Sequence, residues 1–383
     1  MVAEVMKESG WVRDLATPYF AFDQSILQRN VQSVMTYARE HKFKVRPHVK
    51  AHKSIALAQW QMSLGANGLC AAKVSECEPF LDLDFEDLLI AYPPVGAHRI
   101  ARLIDVAAKK PLLLSVDSPS QVVALGEALS NASFTIKLLI EIDTGAKRCG
   151  INSVQQAQSI IAAIAKYPAL VLKGAMLYNG HLWGERANSD TTFAEINAMW
   201  EPVYQVILQG MKNLNSSAGE EILVSSASTP SLFNSHKIAH VNEIRYGTCA
   251  FNDFWLVKQN YCAISDCAGA VVSTVISQAA EGRVMIDAGS KALSPHYVWG
   301  PENFGYGFIL EHPDALLFKL HEEIGWVDTS RCASRPPQIG DRLTIIPAMT
   351  ALTLNQYDHF YLVESDKTTA LTKQPVDARG MLE

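Results

Sequence analysis

Between Pro18 and about Ala250 the chain alternates short apolar runs with longer segments of helical period, and this alternation limits the possible folds most. Tyr19-Phe20-Ala21-Phe22 is the first apolar run. Asp23 then caps a helix whose apolar face is Ile26, Leu27, Val31, Val34, Met35 and Ala38. Phe43-Lys44-Val45 precedes a helical pattern that starts near Ile55. Leu88-Leu89-Ile90-Ala91 is a buried-strand pattern, followed by the helical 98–109. Leu112–Val116 leads to Ser118-Pro119, an N-cap with proline at the first helical turn. The strand-like 134–142 runs to a helix starting near Ser153, and 171–177 runs through a loop to the long helix 193–214. Ile222-Leu223-Val224 follows. The count fits about eight strand–helix units, which makes a parallel (β/α)8 barrel the economical architecture.

After Ala250 the texture changes. Residues 270–277 and 283–287, Leu316–Leu320 and Arg342–Pro347 are short β-like runs separated by turn residues, with no helical period. The expected organisation is an α/β barrel over 17–250 and a smaller all-β domain over 251–383, completed by residues 1–16.

In a (β/α)8 barrel the chemistry sits at the carboxyl ends of the strands. Lys50, Asp143, Arg148, Tyr178, His181 and Ser228 all fall just after predicted strands. The segment Arg46-Pro47-His48-Val49-Lys50-Ala51-His52-Lys53-Ser54 places a lysine there among His48, His52, Arg46 and Lys53. Neighbouring positive charge disfavours an ammonium and activates the amine for an imine with an aldehyde cofactor. A solvated basic turn after a strand would read the same way, and this segment alone leaves both open.

Further along stand Ile140-Glu141-Ile142-Asp143-Thr144-Gly145-Ala146-Lys147-Arg148-Cys149-Gly150 and Gly174-Ala175-Met176-Leu177-Tyr178-Asn179-Gly180-His181. Ser226-Ala227-Ser228-Thr229-Pro230, Glu243-Ile244-Arg245-Tyr246-Gly247-Thr248 and Ile286-Asp287-Ala288-Gly289-Ser290-Lys291-Ala292-Leu293-Ser294 follow in order. Together these segments resemble the fold-type III pyridoxal-phosphate enzymes, the group of alanine racemase, and within it the D-threonine aldolase and D-serine dehydratase family. The resemblance runs over nearly the whole chain from Thr17.

It implies pyridoxal 5'-phosphate as cofactor, with Lys50 as the lysine that carries it and Lys53 as the runner-up, read in preference as a surface charge. His48 belongs to the same Arg-Pro-His-x-Lys pattern. Ser228, Thr229, Gly247 and Thr248 are implied as the phosphate cradle, with Ala227 where the family usually has glycine. Tyr178 matches the family tyrosine beside the pyridine nitrogen, and Arg148 the arginine on the cofactor's phenolic oxygen. Asp143 is expected to shape its turn. His181 is either an acid–base group near the substrate β-carbon or a loop histidine bonded to backbone.

One departure matters. The family's metal pair lies in a Pro-Asn-His-x-Cys segment after a Gly-Asp turn. Here Gly340-Asp341 leads to Pro347-Ala348-Met349-Thr350-Ala351, so Met349 and Ala351 take the ligand positions, and neither suits Zn²⁺, Mn²⁺ or Mg²⁺. The usual upstream Glu-Glu-His-Gly reads Glu322-Glu323-Ile324-Gly325. His296, His321, Asp358 and His359 lie in the same domain without convincing ligand spacing, so no metal is expected.

The resulting expectation is a metal-independent lyase that cleaves the Cα–Cβ bond of a small β-hydroxy or α-substituted amino acid, of D configuration as the resemblance implies. A racemase is the second reading, with Lys50 on one face and Tyr297, His296 or Tyr306 on the other. A D-hydroxy-amino-acid dehydratase comes next, and a non-catalytic cofactor carrier last.

Composition excludes other classes. Lys plus Arg number 33 against 39 Asp plus Glu, a net charge of −6, which gives nucleic acid or an anionic membrane no basis for binding. The seven cysteines form no Cys-x-x-Cys pair, as expected of reduced thiols in a cytoplasmic protein. No apolar run is long enough for a signal peptide or a membrane span. A small-molecule amino-acid substrate and a homodimer complete the expectation.

Overall fold

The computed structural model describes residues 15–214, 221–300, 304–333, 335–363 and 371–383. The chain divides into two units. One comprises Ser33–Lys50, Ile55–Gly247 and Met381–Glu383; the other comprises Met1–Gln32, Ala51–Ser54 and Thr248–Gly380.

Strand β1 (Tyr19–Asp23) belongs to the second unit, where it pairs antiparallel with β10 (Gly269–Ser277), Tyr19 opposite Val272. It also runs parallel to β16 (His359–Val363). Sequence reading placed this run at the start of the barrel. All five of its residues are buried, and a strand buried on both faces carries no alternation to show which sheet it joins. Residues 1–14, assigned from sequence to the same domain, lie outside the described residues.

The first unit holds eight parallel strands: β2 (Lys44–Pro47), β3 (Leu69–Ala71), β4 (Leu88–Ile90), β5 (Leu112–Val116), β6 (Ile136–Ile142), β7 (Leu170–Tyr178), β8 (Leu223–Ala227) and β9 (Glu243–Tyr246). They run in the order β2-β9-β8-β7-β6-β5-β4-β3, and a parallel bridge between His48 and Cys70 links the two ends. The result is a closed (β/α)8 barrel. Helices follow where the capping signals stand. Ser118 accepts from the backbone N–H of Gln121, whose own side chain returns to the N-cap backbone, and the helix Pro119–Ala128 begins there. Ser153 likewise accepts from the backbone N–H of Gln156 at the start of Val154–Ile164.

Barrel strands buried on both faces should be apolar throughout, yet several of them carry charge. Arg46 of β2 donates to both carboxylate oxygens of Glu243 on β9, at 3.0 and 2.9 Å. Arg46 also pairs with Asp87 at 2.7 Å, and Ser225 Oγ of β8 donates to Glu243 at 2.5 Å. Burial, the largest single effect, would raise the Glu243 carboxyl, but the charge and hydrogen bonds of Arg46, with Ser225 and Arg245, together outweigh it and hold the pKa below the ordinary value. Lys44–Pro47 and Glu243–Tyr246 are paired strands, so this fork ties together the first and last strands of the barrel.

Among the described residues the second unit is a nine-stranded sheet built on β10, which pairs with β1 and with the strands Arg283–Ile286 and Arg342–Pro347. Short helices interrupt it at Phe254–Lys258, Ser290–Leu293 and Thr350–Leu354. The absence of helical period after Ala250 missed these because each is too short to show one.

Glu243→Gln keeps the shape of the side chain and removes its charge, leaving Arg46 undercompensated. It is expected to cost about 3–5 kcal/mol in urea unfolding. A loss below about 1 kcal/mol would show that the pair does not hold the barrel ends.

Candidate active site

Lys50 stands in the turn Val49–Ala51, directly after β2. Its neighbours Val49, Ala51 and Arg46 are buried, while the Lys50 side chain remains open to solvent. Protein atoms still surround it closely. Burial is the first cause lowering its pKa, and the Arg148 and Arg245 charges add to it against the opposing Cys70 and Glu76. The amine is thereby weighted toward its neutral, nucleophilic form. Cys70 stays a thiol, its pKa pushed up to about 11 by burial.

Two further strand ends supply an aromatic ring and a cation. The Arg148 guanidinium lies over the Tyr178 ring, 3.9 Å from its centroid. Glu141 of β6 faces Arg148 at 3.6 Å and accepts from Ser115 Oγ at 3.1 Å. Burial raises the Glu141 pKa, with Ser115 and Arg148 opposing. Gly180 leaves room for the Tyr178 phenol: a Cβ there would stand 2.2 Å from the hydroxyl oxygen. Arg245 of β9 donates to Ser225 Oγ at 2.7 Å and to the Leu177 carbonyl at 3.0 Å, so it is a fixed buried cation.

Ser228 and Thr229 follow β8, and Gly247 and Thr248 follow β9. Asn179 ties the loop after β7 to the end of β8, its backbone N–H donating to the Ala227 carbonyl and its side chain to Ser226 Oγ. The Ser228 hydroxyl is buried and has no hydrogen-bond partner among the described residues. Such a group costs about 1–3 kcal/mol unless something satisfies it. Small residues at adjacent strand ends with an unsatisfied buried hydroxyl fit a phosphate, which carries the acceptor oxygens. With the activated Lys50, whose amine feels the Arg148 charge, and with Arg148 stacked on Tyr178, the residues present fit pyridoxal phosphate.

His181 stands in the loop after β7, and burial, with Arg186 next, lowers its pKa while Asp143 opposes. Its Nδ1 is buried without a partner among the described residues, and its Nε2 would be 3.1 Å from a Cβ on Gly145. Gly145 has φ +119°, a conformation other residues avoid, so glycine keeps the histidine close to the β6 loop. The Asp143 carboxylate is engaged by the backbone N–H groups of Gly145 and Lys147 at 2.9 and 3.0 Å, which shape this turn.

Lys53 was read from sequence as a surface charge on the first helical turn. It is instead buried, at φ +53° ahead of the helix Ile55–Ser63, and its ammonium donates to Asn355 at 2.9 Å. The polar turn His52-Lys53-Ser54 resembles a surface turn because the side chain it binds is 302 residues away. In the second unit Tyr297 packs edge-on against Tyr306 at 4.9 Å, and His296 lies 6.4 Å from Trp255. Met349 precedes the helix Thr350–Leu354, in which Ala351 stands. Among the described residues no group of three His, Cys, Asp or Glu is arranged to hold a metal ion.

Sequence reading gave no role to Glu141, Arg245, Ser115 or Cys70, and read Arg46 as a positive charge activating Lys50, whereas it is paired with Glu243 and Asp87 and the cations lowering the Lys50 pKa are Arg148 and Arg245. The available signal was a charged or polar residue inside an otherwise apolar strand, as in Leu139-Ile140-Glu141-Ile142.

An alanine racemase N-terminal domain model matches residues 22–253. The chain belongs to that family. A serine dehydratase domain model matches residues 268–363. The chain is 27% identical to a 3-hydroxy-D-aspartate aldolase of Paracoccus denitrificans (strain Pd 1222), over 96% of this chain and 93% of that one. It is similar to the crystal structure of D-threonine aldolase from Filomicrobium marinum, with TM-score 0.83, 28% identity, and coverage of 97% and 98%. D-threo-3-hydroxyaspartate dehydratase from Delftia sp. HT23 gives TM-score 0.83 and 26% identity, over 95% and 98%. These are fold-type III pyridoxal-phosphate enzymes, and the barrel with its second sheet is their architecture.

Because burial lowers its pKa, His181 is expected to be neutral at pH 7 and to titrate below the ordinary histidine value of about 6.5. Its ring-proton shift in a pH series, assigned with His181→Gln, measures this. A midpoint above 6.5 would contradict the burial described.

Proposed function

We propose that this chain is a pyridoxal-phosphate-dependent lyase that breaks the Cα–Cβ bond of a small β-hydroxy D-amino acid. The observation that carries the reading is the placement of an activated lysine, Lys50, with Arg148 and Tyr178 at the strand ends of a family barrel. Relatives that align over nearly the full chain, named as aldolases of D-threonine and 3-hydroxy-D-aspartate, support the bond and the stereochemistry.

When bound, pyridoxal phosphate draws electrons from the bond that breaks at the substrate's Cα. The chain's own residues do the rest. Lys50 would carry the cofactor through its amine. Ser228, Thr229, Gly247 and Thr248 would receive the phosphate, giving Ser228 Oγ a partner. Arg148, held by Glu141, would hold the phenolic oxygen. Tyr178 would serve the ring nitrogen, where a phenol leaves the ring less electron-withdrawing than a carboxylate partner would. His48 lines the lysine turn. His181 accepts the proton of the β-hydroxyl at Nδ1, which releases the aldehyde.

The site works without a catalytic metal in this reading, because Met349 and Ala351 stand where the family places its ligands. The second reading, a racemase, draws on that same replacement, since a racemase has no β-hydroxyl to polarise. The protein acts as a homodimer, as the family resemblance implies. The absence of any Cys-x-x-Cys pair from the sequence supports a cytoplasmic location, and among the described residues no helix is long and apolar enough to cross a membrane.

Incubation with both enantiomers of threonine, phenylserine, serine and alanine in D₂O tests the reaction. Aldehyde plus a smaller amino acid from a D-β-hydroxy substrate is expected. Deuterium at Cα with loss of optical rotation and no aldehyde would establish the racemase instead. His181→Ala is expected to lower kcat about 10²- to 10⁴-fold with a smaller change in KM. Turnover is expected to survive dialysis against EDTA; loss that Mn²⁺ or Zn²⁺ restores would overturn the metal-free reading.

A further inference from the structure

Three successive carbonyls at the end of β7 each have a donor. The Leu177 carbonyl accepts from Arg245 at 3.0 Å, the Tyr178 carbonyl from Thr144 Oγ1 at 3.2 Å, and the Asn179 carbonyl from the Leu182 N–H at 3.0 Å. The backbone from Leu177 to Asn179 is thereby held from β9, from the loop after β6 and from its own turn. It is a fixed base within the barrel.

From that base Asn179 makes two bonds to β8. Its N–H donates to the Ala227 carbonyl at 3.0 Å, one residue past the paired Tyr178 and Ala227. Its side-chain amide donates to Ser226 Oγ at 3.1 Å, and both side chains are buried. The first bond needs only backbone, whereas the second belongs to the asparagine. Ser226 stands two residues before Ser228, whose buried hydroxyl has no partner among the described residues.

The other end of the same amide shows what kind of role this is. Asn179 Oδ1 is also buried without a partner among the described residues. An amide oxygen only accepts, and a phosphate presents acceptor oxygens, so Asn179 Oδ1 is no phosphate ligand. The residue acts on the strand end that carries the ligands.

We propose that Asn179 is a positioning residue for the phosphate cradle. Its amide, seated on the fixed end of β7, holds Ser226 and so sets where Ser228 and Thr229 stand after β8. This rests on the cofactor reading above and adds to it a residue that sets the affinity for the phosphate group. Hydrogen bonds weaken steeply when donors shift or turn, so a small displacement of the strand end weakens the cradle. Without the amide, Ser226 Oγ is left buried and unpaired, and the strand end relaxes to satisfy it. Lys50 stands on another strand, β2, so the aldehyde end of the cofactor does not depend on this bond.

Full-length protein freed of cofactor and titrated with pyridoxal phosphate and with pyridoxal, which lacks the phosphate, tests the proposal through the imine absorbance. Wild type is expected to bind pyridoxal phosphate more tightly than pyridoxal. In Asn179→Ala the Kd for pyridoxal phosphate is expected to rise about 10-fold, the worth of one buried hydrogen bond, with that for pyridoxal changed less than about 2-fold. Ser226→Ala is expected to give the same selective loss, and the double variant no more than either single one. Should Asn179→Ala fail to fold, Ser226→Ala carries the same comparison. Equal losses for both aldehydes, no loss for either, or additive losses in the double variant would overturn the proposal. Wild-type protein that forms an imine with both aldehydes at equal affinity would overturn it while leaving the Lys50 reading standing. Wild-type protein that forms no imine with either would overturn both.

Discussion

The fork between Arg46 and Glu243 is the interaction on which the rest of the site depends. It joins the first and last strands of the barrel, and it does so with charges where a barrel interior normally has only apolar side chains. A buried pair of this kind is weak evidence of net stability but strong evidence of register, because removing either partner leaves the other charge unmatched. With the register held, Pro47 and Tyr246 stand opposite one another, and the chain delivers Lys50 and Gly247 from adjacent strand ends. The same layer carries Ser225 and Arg245. The Arg245 charge helps keep the Lys50 amine below its ordinary pKa.

A second chain of contacts runs from Ser115 through Glu141 to Arg148 and the Tyr178 ring. The members come from β5, from β6 and the loop after it, and from the end of β7, and each limits the next. The order has a physical logic. Glu141, a buried carboxylate, is held by a hydroxyl and a cation, and the exposed member, Arg148, is held by that carboxylate and by an aromatic face. Gly180 and Gly145 serve the same arrangement by omission, one making space for the Tyr178 phenol and the other for His181.

Much of this was legible in the residues. Apolar runs followed by capped helical segments gave the barrel, and Ser118 and Ser153 act as the caps their neighbours suggested. The lysine turn, the Tyr178 loop and the serine loop stand at strand ends, as the alternation required. Strand β1 was misplaced because five consecutive buried residues suit either sheet equally. The short strand β3, Leu69–Ala71, supplies the barrel strand that β1 does not. Lys53 was misread because its partner Asn355 is remote in sequence. The roles of Glu141 and Arg245 were hidden because a charged residue within a strand acquires meaning only when its neighbours across the barrel are known.

The central claim is that Lys50 is the residue that carries the cofactor. Reduction of the pyridoxal-phosphate-loaded protein with borohydride, followed by digestion and peptide mapping, tests it most directly. The account predicts a single stable label on Lys50 and none on Lys53. A label on Lys53, or on any lysine other than Lys50, would contradict it.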